Sequence, residues 1–267
     1  DRLELQWSIA LPAVTTMRSQ PVIAGGFDIE PEAQRDGALD LAEQGTFAVE
    51  AGLPPLGMFD LAWAGVPIAV KDLIDTADMP TTYGSPIYAG HRPTVDAAVV
   101  ASAREAGGVV MGKTVTTEFA TTHPGPTCNP HNLAHTPGGS SSGSAAAVAA
   151  GMVPVALGTQ TNGSVIRPAS FCGVYAFKPS RGLLPRTGVL DQSPSLDEIG
   201  VFARNLEDIA KVTEIMSGDD GHDSASARQS PRRLYEVAVS QPPLPPKFCF
   251  VKTPWWDDVE PEAREAY

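Results

Sequence analysis

Residues 136–168 read TPGGSSSGSAAAVAAGMVPVALGTQTNGSVIRP. This segment predicts a Gly/Ser turn, a helix, a strand and a second turn, in that order. The Ala-rich part, from about Ser144 to Ala150, predicts the helix, because alanine has the highest helix propensity. The apolar run at residues 153–157 is typical of a buried strand. A helix that leads directly into a buried strand indicates an α/β protein.

The same alternation of helix and apolar strand continues outside this segment. The runs at residues 66–70 and 109–111 are short and apolar, as buried strands are. Between them, residues 95–106 predict a helix that Gly107 and Gly108 close. Residues 206–216 predict a later helix. Together these elements predict an α/β fold whose sheet is covered by helices on both faces.

The chain is expected to form one domain. Its 267 residues can bury a sizeable core. The first part, about residues 1–60, includes a stretch of helical composition at 31–51, and the core is expected over about residues 61–215. A polar, Pro-rich surface excursion is expected over about residues 219–247, before a strand at 248–251.

Charge and composition argue against several classes of protein. The net charge is −12 and the 19 Lys and Arg residues are scattered, which argues against nucleic-acid binding. The longest apolar stretch, residues 145–157, is broken by Pro154 and is too short to cross a bilayer. Three cysteines without a CxxC pair indicate reduced thiols. Since the sequence does not open with a signal-peptide pattern, we predict a cytoplasmic protein.

Lys71 follows the apolar run at residues 66–70. Burial at a strand end disfavours the charged ammonium and lowers the pKa of a lysine, as a lysine general base requires. A strand-end lysine with its ammonium in water, beside Asp72, is the alternative that the strand alone leaves open.

Ser140 lies in the Gly/Ser run at residues 138–144, a composition that also occurs in flexible linkers. Linkers seldom run directly into a helix-forming alanine stretch, however. The glycines permit unusual backbone angles, and the serines lie at a helix N-terminus where N–H groups lack partners. Such a turn can hold a hydroxyl group in a fixed position.

Ser164 ends the second turn, GTQTNGS at residues 158–164. This turn follows a predicted strand and carries consecutive backbone N–H groups, which are the donors that an oxyanion hole uses. A surface turn with an incidental serine is the alternative that this turn alone leaves open.

Metal and phosphate sites are not predicted. The run GSSSG at residues 139–143 follows a loop rather than the strand that a nucleophile elbow requires, and it lacks the ending of a P-loop. His131 and His135 are flanked by prolines and lack the glutamate of a zinc motif. Cys128 and Cys172 have no basic neighbour in sequence and are expected to be inert thiols.

The three segments around Lys71, Ser140 and Ser164 occur in one order that resembles the amidase signature family. The resemblance runs from about residue 35 to the last residue. The chain is similar to the stand-alone amidases of malonamidase and aryl-acylamidase type. The resemblance implies the amidase signature fold, with a mixed, mostly parallel β-sheet between helices. Because the family's domain is longer than 267 residues, the resemblance also implies that this chain is truncated at the C-terminus.

The resemblance implies a role for each matching residue. A bridging serine passes the proton of the nucleophilic serine to a neutral lysine, so that the nucleophile can attack an amide carbonyl. The bridging serine of the family has a cis peptide bond. The matching residues are Ser164 as nucleophile, Ser140 as bridging serine, Lys71 as base, and the backbone N–H groups of Thr161, Asn162, Gly163 and Ser164 as oxyanion hole.

Three positions depart from the common pattern of the family. Many members carry Asp in place of Gln160 and Gly in place of Asn162, and Arg167 stands three residues after Ser164 rather than two. A branch of amidases shares the Ser-Val-Ile-Arg-Pro form. Arg167 is expected either to brace the turn by pairing with a carboxylate or to receive an acidic group of the substrate.

The resemblance implies an amidase that hydrolyses a small-molecule carboxylic amide to an acid and ammonia or an amine. It implies no cofactor and no nucleic-acid or membrane partner, and it leaves a homodimer open. The first alternative is the A-type subunit of glutamyl-tRNA amidotransferase, which releases ammonia from glutamine and requires partner subunits. The second is a catalytically silent fragment or scaffold with the same fold.

Overall fold

The computed structural model describes residues 65–226 and 233–241, and beyond them residues 244, 245, 247, 252, 254 and 256–265. The helical region expected over residues 1–60 and the strand expected at 248–251 lie outside the described residues.

A single five-stranded sheet runs through the described part of the chain. Its strands are β1 (Pro67–Lys71), β2 (Val109–Thr114), β3 (Val155–Gln160), β4 (Tyr175–Phe177) and β5 (Glu198–Ala203). Their spatial order is β2-β1-β3-β5-β4. β1 is parallel to β2 and β3, whereas β5 is antiparallel to β3 and β4. Four strands therefore run in one direction, which confirms the mixed, mostly parallel sheet.

Helices cover both faces of this sheet. Because alternate residues of a strand point to opposite faces, Ile68 and Val70 lie in one apolar cluster and Ala69 in another. The first cluster includes residues of α1 and α4, and the second includes residues of α2 and α3. The helices are α1 (Ala98–Glu105), α2 (Ser142–Ala149), α3 (Ile166–Cys172), α4 (Leu206–Met216), α5 (Leu234–Val239) and α6 (Pro261–Glu265).

Most of the predicted elements are present with shifted ends. The helix predicted at 206–216 coincides with α4, and the strand predicted at 66–70 extends to include Lys71. The sequence did not predict α3, β4 or β5. The short helix α5 lies within the region expected to be a surface excursion. Among the described residues, no helix is long and apolar enough to cross a membrane.

α2 packs directly against the end of β2, and a glycine makes this approach possible. A Cβ atom at Gly143 would lie 2.4 Å from the backbone nitrogen of Val115. The N–H group of Gly143 donates to the carbonyl oxygen of Val115 at 2.9 Å. The first turn of α2 is therefore held against the chain that leaves β2.

One edge of the sheet brings the sequence motifs together. β1 and β3 are parallel, so Lys71 and Gln160, their last residues, lie at the same edge. β5 runs in the opposite direction and pairs its first residue, Glu198, with Gln160. The turn before α2 and the loop from β3 to α3 both meet this edge.

Candidate active site

Lys71 is fully buried at the end of β1. Its Nζ atom lies 2.7 Å from Ser140 Oγ and 2.8 Å from Thr159 Oγ1. The carbonyl oxygen of Thr159 is 3.4 Å away. The amino group therefore has three oxygen partners, and one of them is the serine of the Gly/Ser turn.

Burial controls the charge of this lysine. Removal from water lowers the pKa of Lys71 well below 10.5, and the negative charge of Asp197 opposes this effect only in part. A neutral amine keeps two N–H donors and one lone pair. The geometry thus allows Lys71 to donate to Thr159 and to take a proton from Ser140.

Ser140 is held in a buried turn. The peptide bond Gly139–Ser140 is cis, as the family resemblance implied, and the Ser140 side chain is buried. Its carbonyl oxygen accepts a hydrogen bond from the N–H of Thr117 at 3.1 Å. Gly138 adopts φ +75°, a left-handed conformation that favours glycine. The backbone on both sides of Ser140 is therefore fixed.

The serines that follow Ser140 anchor α2 to the sheet. Ser141 Oγ donates to the carbonyl oxygen of Thr159 at 3.1 Å and accepts from its N–H at 3.2 Å. Ser144 Oγ donates to the carbonyl oxygen of Leu157 at 2.8 Å. A flexible linker makes no such contacts, so the linker interpretation of the Gly/Ser run is wrong.

Ser164 is buried at the end of the loop that follows β3. Its carbonyl oxygen accepts from the N–H of Ser141 at 3.2 Å, which places it beside the residue that follows Ser140. The backbone N–H groups of Asn162, Gly163 and Ser164 donate to no other group in the described part of the chain. The loop therefore presents consecutive N–H donors that have no acceptor among the described residues, next to a buried serine.

Side chains brace both ends of this loop. Gln160 Oε1 accepts from the N–H groups of Val165 and Ile166 at 2.9 and 3.0 Å. Thr161 Oγ1 donates to a carboxylate oxygen of Asp197 at 2.5 Å. The resemblance gave Gln160 no role and did not include Asp197. The contact of Thr161 with Asp197, which precedes β5, depends on the pairing of β3 with β5.

Arg167 braces the same region through a carbonyl oxygen and not through the carboxylate that was expected. Its Nε donates to the carbonyl oxygen of Gly139 at 3.0 Å, which connects α3 to the cis peptide. No carboxylate among the described residues forms an ion pair with it. The turn is braced through a carbonyl oxygen, and Arg167 remains exposed.

A cavity of about 300 Å³ lies beside this edge of the sheet. Thr159 and Thr161 line it, together with apolar side chains such as Leu73 and Ile199. The guanidinium group of Arg186, also in the wall, donates to Asp223 and to the carbonyl oxygens of Pro194 and Asp197. The cavity therefore borders Thr159, the hydrogen-bond partner of Lys71, whereas Lys71, Ser140 and Ser164 are not among its lining residues.

The histidines and cysteines singled out in the sequence lie apart from this arrangement. A ring nitrogen of His131 lies 2.8 Å from the carbonyl oxygen of Cys172. Burial raises the pKa of the Cys172 thiol to about 11, so it stays protonated at neutral pH. Among the described residues, no group of three or more His, Cys, Asp or Glu is arranged to hold a metal ion.

A protein family and several known proteins match this chain. The profile of the family described as Amidase matches residues 43–267. The A-type subunit of glutamyl-tRNA(Gln) amidotransferase from Methanosarcina mazei is 48% identical over 169 residues, which cover 61% of this chain and 36% of that protein. The protein of the same name from a Picosynechococcus species is 42% identical over 212 residues, which cover 76% of this chain and 43% of that protein.

Solved structures share the fold as well as sequence. Native peptide amidase from Stenotrophomonas maltophilia has a TM-score of 0.63 and 36% identity, over 75% of this chain and 42% of that one. The A-type subunit of glutamyl-tRNA(Gln) amidotransferase from Thermotoga maritima has a TM-score of 0.62 and 38% identity, over 74% of this chain and 47% of that one. This chain thus spans less than half the length of each of these four proteins.

Proposed function

The chain belongs to the amidase family, and we propose that it hydrolyses a carboxylic amide to an acid and ammonia or an amine through an acyl-enzyme on Ser164. One observation carries the proposal. The buried Nζ of Lys71, with its lowered pKa, lies 2.7 Å from Ser140 Oγ at the edge of the sheet where Ser164 is buried. A serine hydroxyl needs such a base before it becomes a nucleophile.

The first half of the reaction forms the acyl-enzyme. Neutral Lys71 accepts the proton of the Ser140 hydroxyl, and Ser140 takes the proton of Ser164. The Ser164 oxygen forms a bond to the amide carbonyl carbon, and the carbonyl electron pair moves to oxygen. The proton then returns through Ser140 to the nitrogen, and the C–N bond breaks to release ammonia or an amine.

The second half hydrolyses that intermediate. Water loses a proton along the same path and forms a bond to the acyl carbon, after which the Ser164 oxygen leaves and regains a proton. Backbone N–H groups at residues 161–164 stabilise the negative oxygen in both halves. The N–H groups of Asn162, Gly163 and Ser164, which have no acceptor in residues 65–226 or the other described residues, support this assignment.

Turnover of small amides tests the proposal. A panel of primary amides and anilides is incubated with the protein, and the released ammonia or amine is measured. Turnover by the wild type that Ser164→Ala reduces by at least 10³-fold supports it, since removal of a serine nucleophile has effects of at least about that size. Turnover that Ser164→Ala leaves intact would contradict the proposal.

A second candidate is an A-type amidotransferase subunit that releases ammonia from glutamine. The 48% identity with the Methanosarcina mazei protein favours it. Ammonia released from glutamine only in the presence of partner subunits, without turnover of simple amides, would select this function. A third candidate, a silent scaffold, predicts no turnover of any amide under either condition.

A further inference from the structure

The side chain of Gln160 contacts the chain on the far side of the Ser164 loop. Gln160 is the last residue of β3, and its Oε1 accepts from the N–H groups of Val165 and Ile166 at 2.9 and 3.0 Å. Two N–H donors require an acceptor, so the carboxamide oxygen, and not its NH₂ group, faces them. One side chain therefore closes the loop of residues 161–164.

These two hydrogen bonds replace a helix cap. The first N–H groups of a helix have no partner within the helix. α3 begins at Ile166, and Val165 before it has no side chain that can cap. Gln160 supplies the missing acceptor from the neighbouring strand. Loss of the bonds would leave both N–H groups without a partner.

The remaining contacts of the loop are made by other atoms. The carbonyl oxygen of Gly163 accepts from the N–H of Arg167 at 2.9 Å, and that of Ser164 accepts from the N–H of Ser141 at 3.2 Å. Thr161 is held by Asp197. Gln160 thus engages the N–H groups just after Ser164, whereas the N–H groups just before and at Ser164 have no acceptor within the described part of the chain.

We infer that Gln160 is a positioning residue, which fixes the Ser164 loop so that its free N–H groups converge on the carbonyl oxygen of the substrate. The inference rests on the proposed function, because it concerns the donors that would stabilise the oxyanion. The donors of the loop stabilise the negative oxygen of the transition state, so loss of the Gln160 contacts should weaken that state more than the binding of substrate. The residue should therefore affect kcat more than KM.

Labelling of Ser164 by a fluorophosphonate probe tests the inference with three matched variants. Gln160→Met keeps the length of the side chain but removes the acceptor. Gln160→Glu keeps an oxygen that can accept both bonds. Asn205→Ala removes a cap of the same kind from α4, where Asn205 accepts from the N–H of Asp208 at 2.7 Å. Asn205→Ala therefore controls for a loss of stability that leaves the Ser164 loop unchanged.

We expect Gln160→Met to lower the second-order rate constant of labelling by roughly 10- to 100-fold, as misplaced oxyanion donors do. Gln160→Glu should stay within about threefold of the wild type, and Asn205→Ala should label at the wild-type rate below its melting temperature. With an amide substrate, kcat of Gln160→Met should fall while KM changes little. Its pH profile should match that of the wild type, because the contacts of Lys71 are unchanged.

The outcomes separate the two claims. A wild type that labels at Ser164, with Gln160→Met labelling equally fast, would overturn the inference and leave the proposed function standing. Equal losses in Gln160→Met and Gln160→Glu would also overturn it, because the acceptor would then not be the cause. A folded wild type that does not label at Ser164 would contradict the proposed function and this inference with it.

Discussion

Lys71 is fully buried in the site, and this burial determines the charge of its amino group. A charged ammonium at a fully buried position loses its hydration, and this cost lowers the pKa of the group. The hydroxyl and carbonyl oxygens of Thr159 offset the cost by accepting hydrogen bonds. The amino group of Lys71 can therefore be neutral and still stay oriented towards Ser140.

The pH dependence of Ser164 labelling follows from this lowered pKa. The base acts only when it is neutral, so the labelling rate should rise with pH through the lowered pKa of Lys71 and then level off. The plateau should begin well below 10.5, the ordinary value for a lysine. Fluorophosphonate labelling is measured from pH 5 to pH 11, with circular dichroism to confirm that the fold persists.

Lys71→Met is the control for this profile, because methionine fills a buried site of similar length without an amine. We expect its labelling to be slow at every pH and to lack the rise. A wild-type rate that continues to rise up to pH 10.5 would mean that Lys71 has an ordinary pKa, contrary to its burial.

At the scale of single elements, α2 determines where Ser140 lies. Gly143 allows the helix to approach the chain after β2, so Gly143→Ala should displace α2. The added Cβ would lie 2.4 Å from the backbone nitrogen of Val115, and backbone cannot move aside easily. We expect a loss of about 1–3 kcal/mol in the free energy of unfolding, with slower labelling of Ser164. Urea denaturation measures the first and probe labelling the second.

Gly112→Ala is the matched control for this change. Gly112 lies in β2, close in sequence to Val115, and a Cβ atom there would meet nothing within 4 Å. Alanine should therefore leave stability unchanged or raise it slightly. If the two variants were equally stable and equally reactive, the packing of α2 against the chain after β2 would not hold Ser140 in place.

Sequence patterns predicted the elements with a clear apolar pattern and missed those that other parts of the chain create. α4 has apolar residues at helical spacing and β1 lies in a continuous apolar run, and both were predicted. α3 has only seven residues and contains Pro168, so propensity alone does not indicate it. It forms because Gln160 accepts its first hydrogen bonds and because Ala169 and Cys172 are buried in the second apolar cluster.

The sequence supplied the candidate residues of the site but not their contacts. Lys71, Ser140 and Ser164 come from the family resemblance, and the structure brings their segments to one edge of the sheet. The contact of Lys71 with Thr159 depends on the register of β1 against β3. No pattern within either strand specifies that register, so the sequence could not indicate the role of Thr159.

For the molecule as a whole, an ion pair within the wall of the cavity joins two segments that are distant in sequence. Arg186 makes a bidentate contact with Asp223, whose oxygens lie 2.9 and 3.0 Å from its guanidinium nitrogens. The side chains of both residues are largely buried. The Arg186 hydrogen bond is the main reason why the pKa of the Asp223 carboxyl lies well below its usual value.

Stability should therefore depend on Asp223 in acid. A carboxyl whose pKa is lowered by folding stabilises the native state above its unfolded pKa of about 3.9 and loses this effect as pH falls. We expect Asp223→Asn to lower the melting temperature at pH 7. The difference from the wild type should shrink as pH falls below about 4. Thermal melts at pH 7, 5 and 3 measure this, and a difference that is constant with pH would contradict the assignment.

The covalent adduct that a fluorophosphonate probe forms with the protein identifies the nucleophile. After labelling, proteolysis and peptide mass spectrometry identify the modified residue in the wild type and in Lys71→Met. We expect the phosphonyl group on Ser164 and strongly reduced labelling of Lys71→Met. An adduct on another residue, or equal labelling of Ser164 without Lys71, would contradict an acyl-enzyme mechanism that depends on this serine and this base.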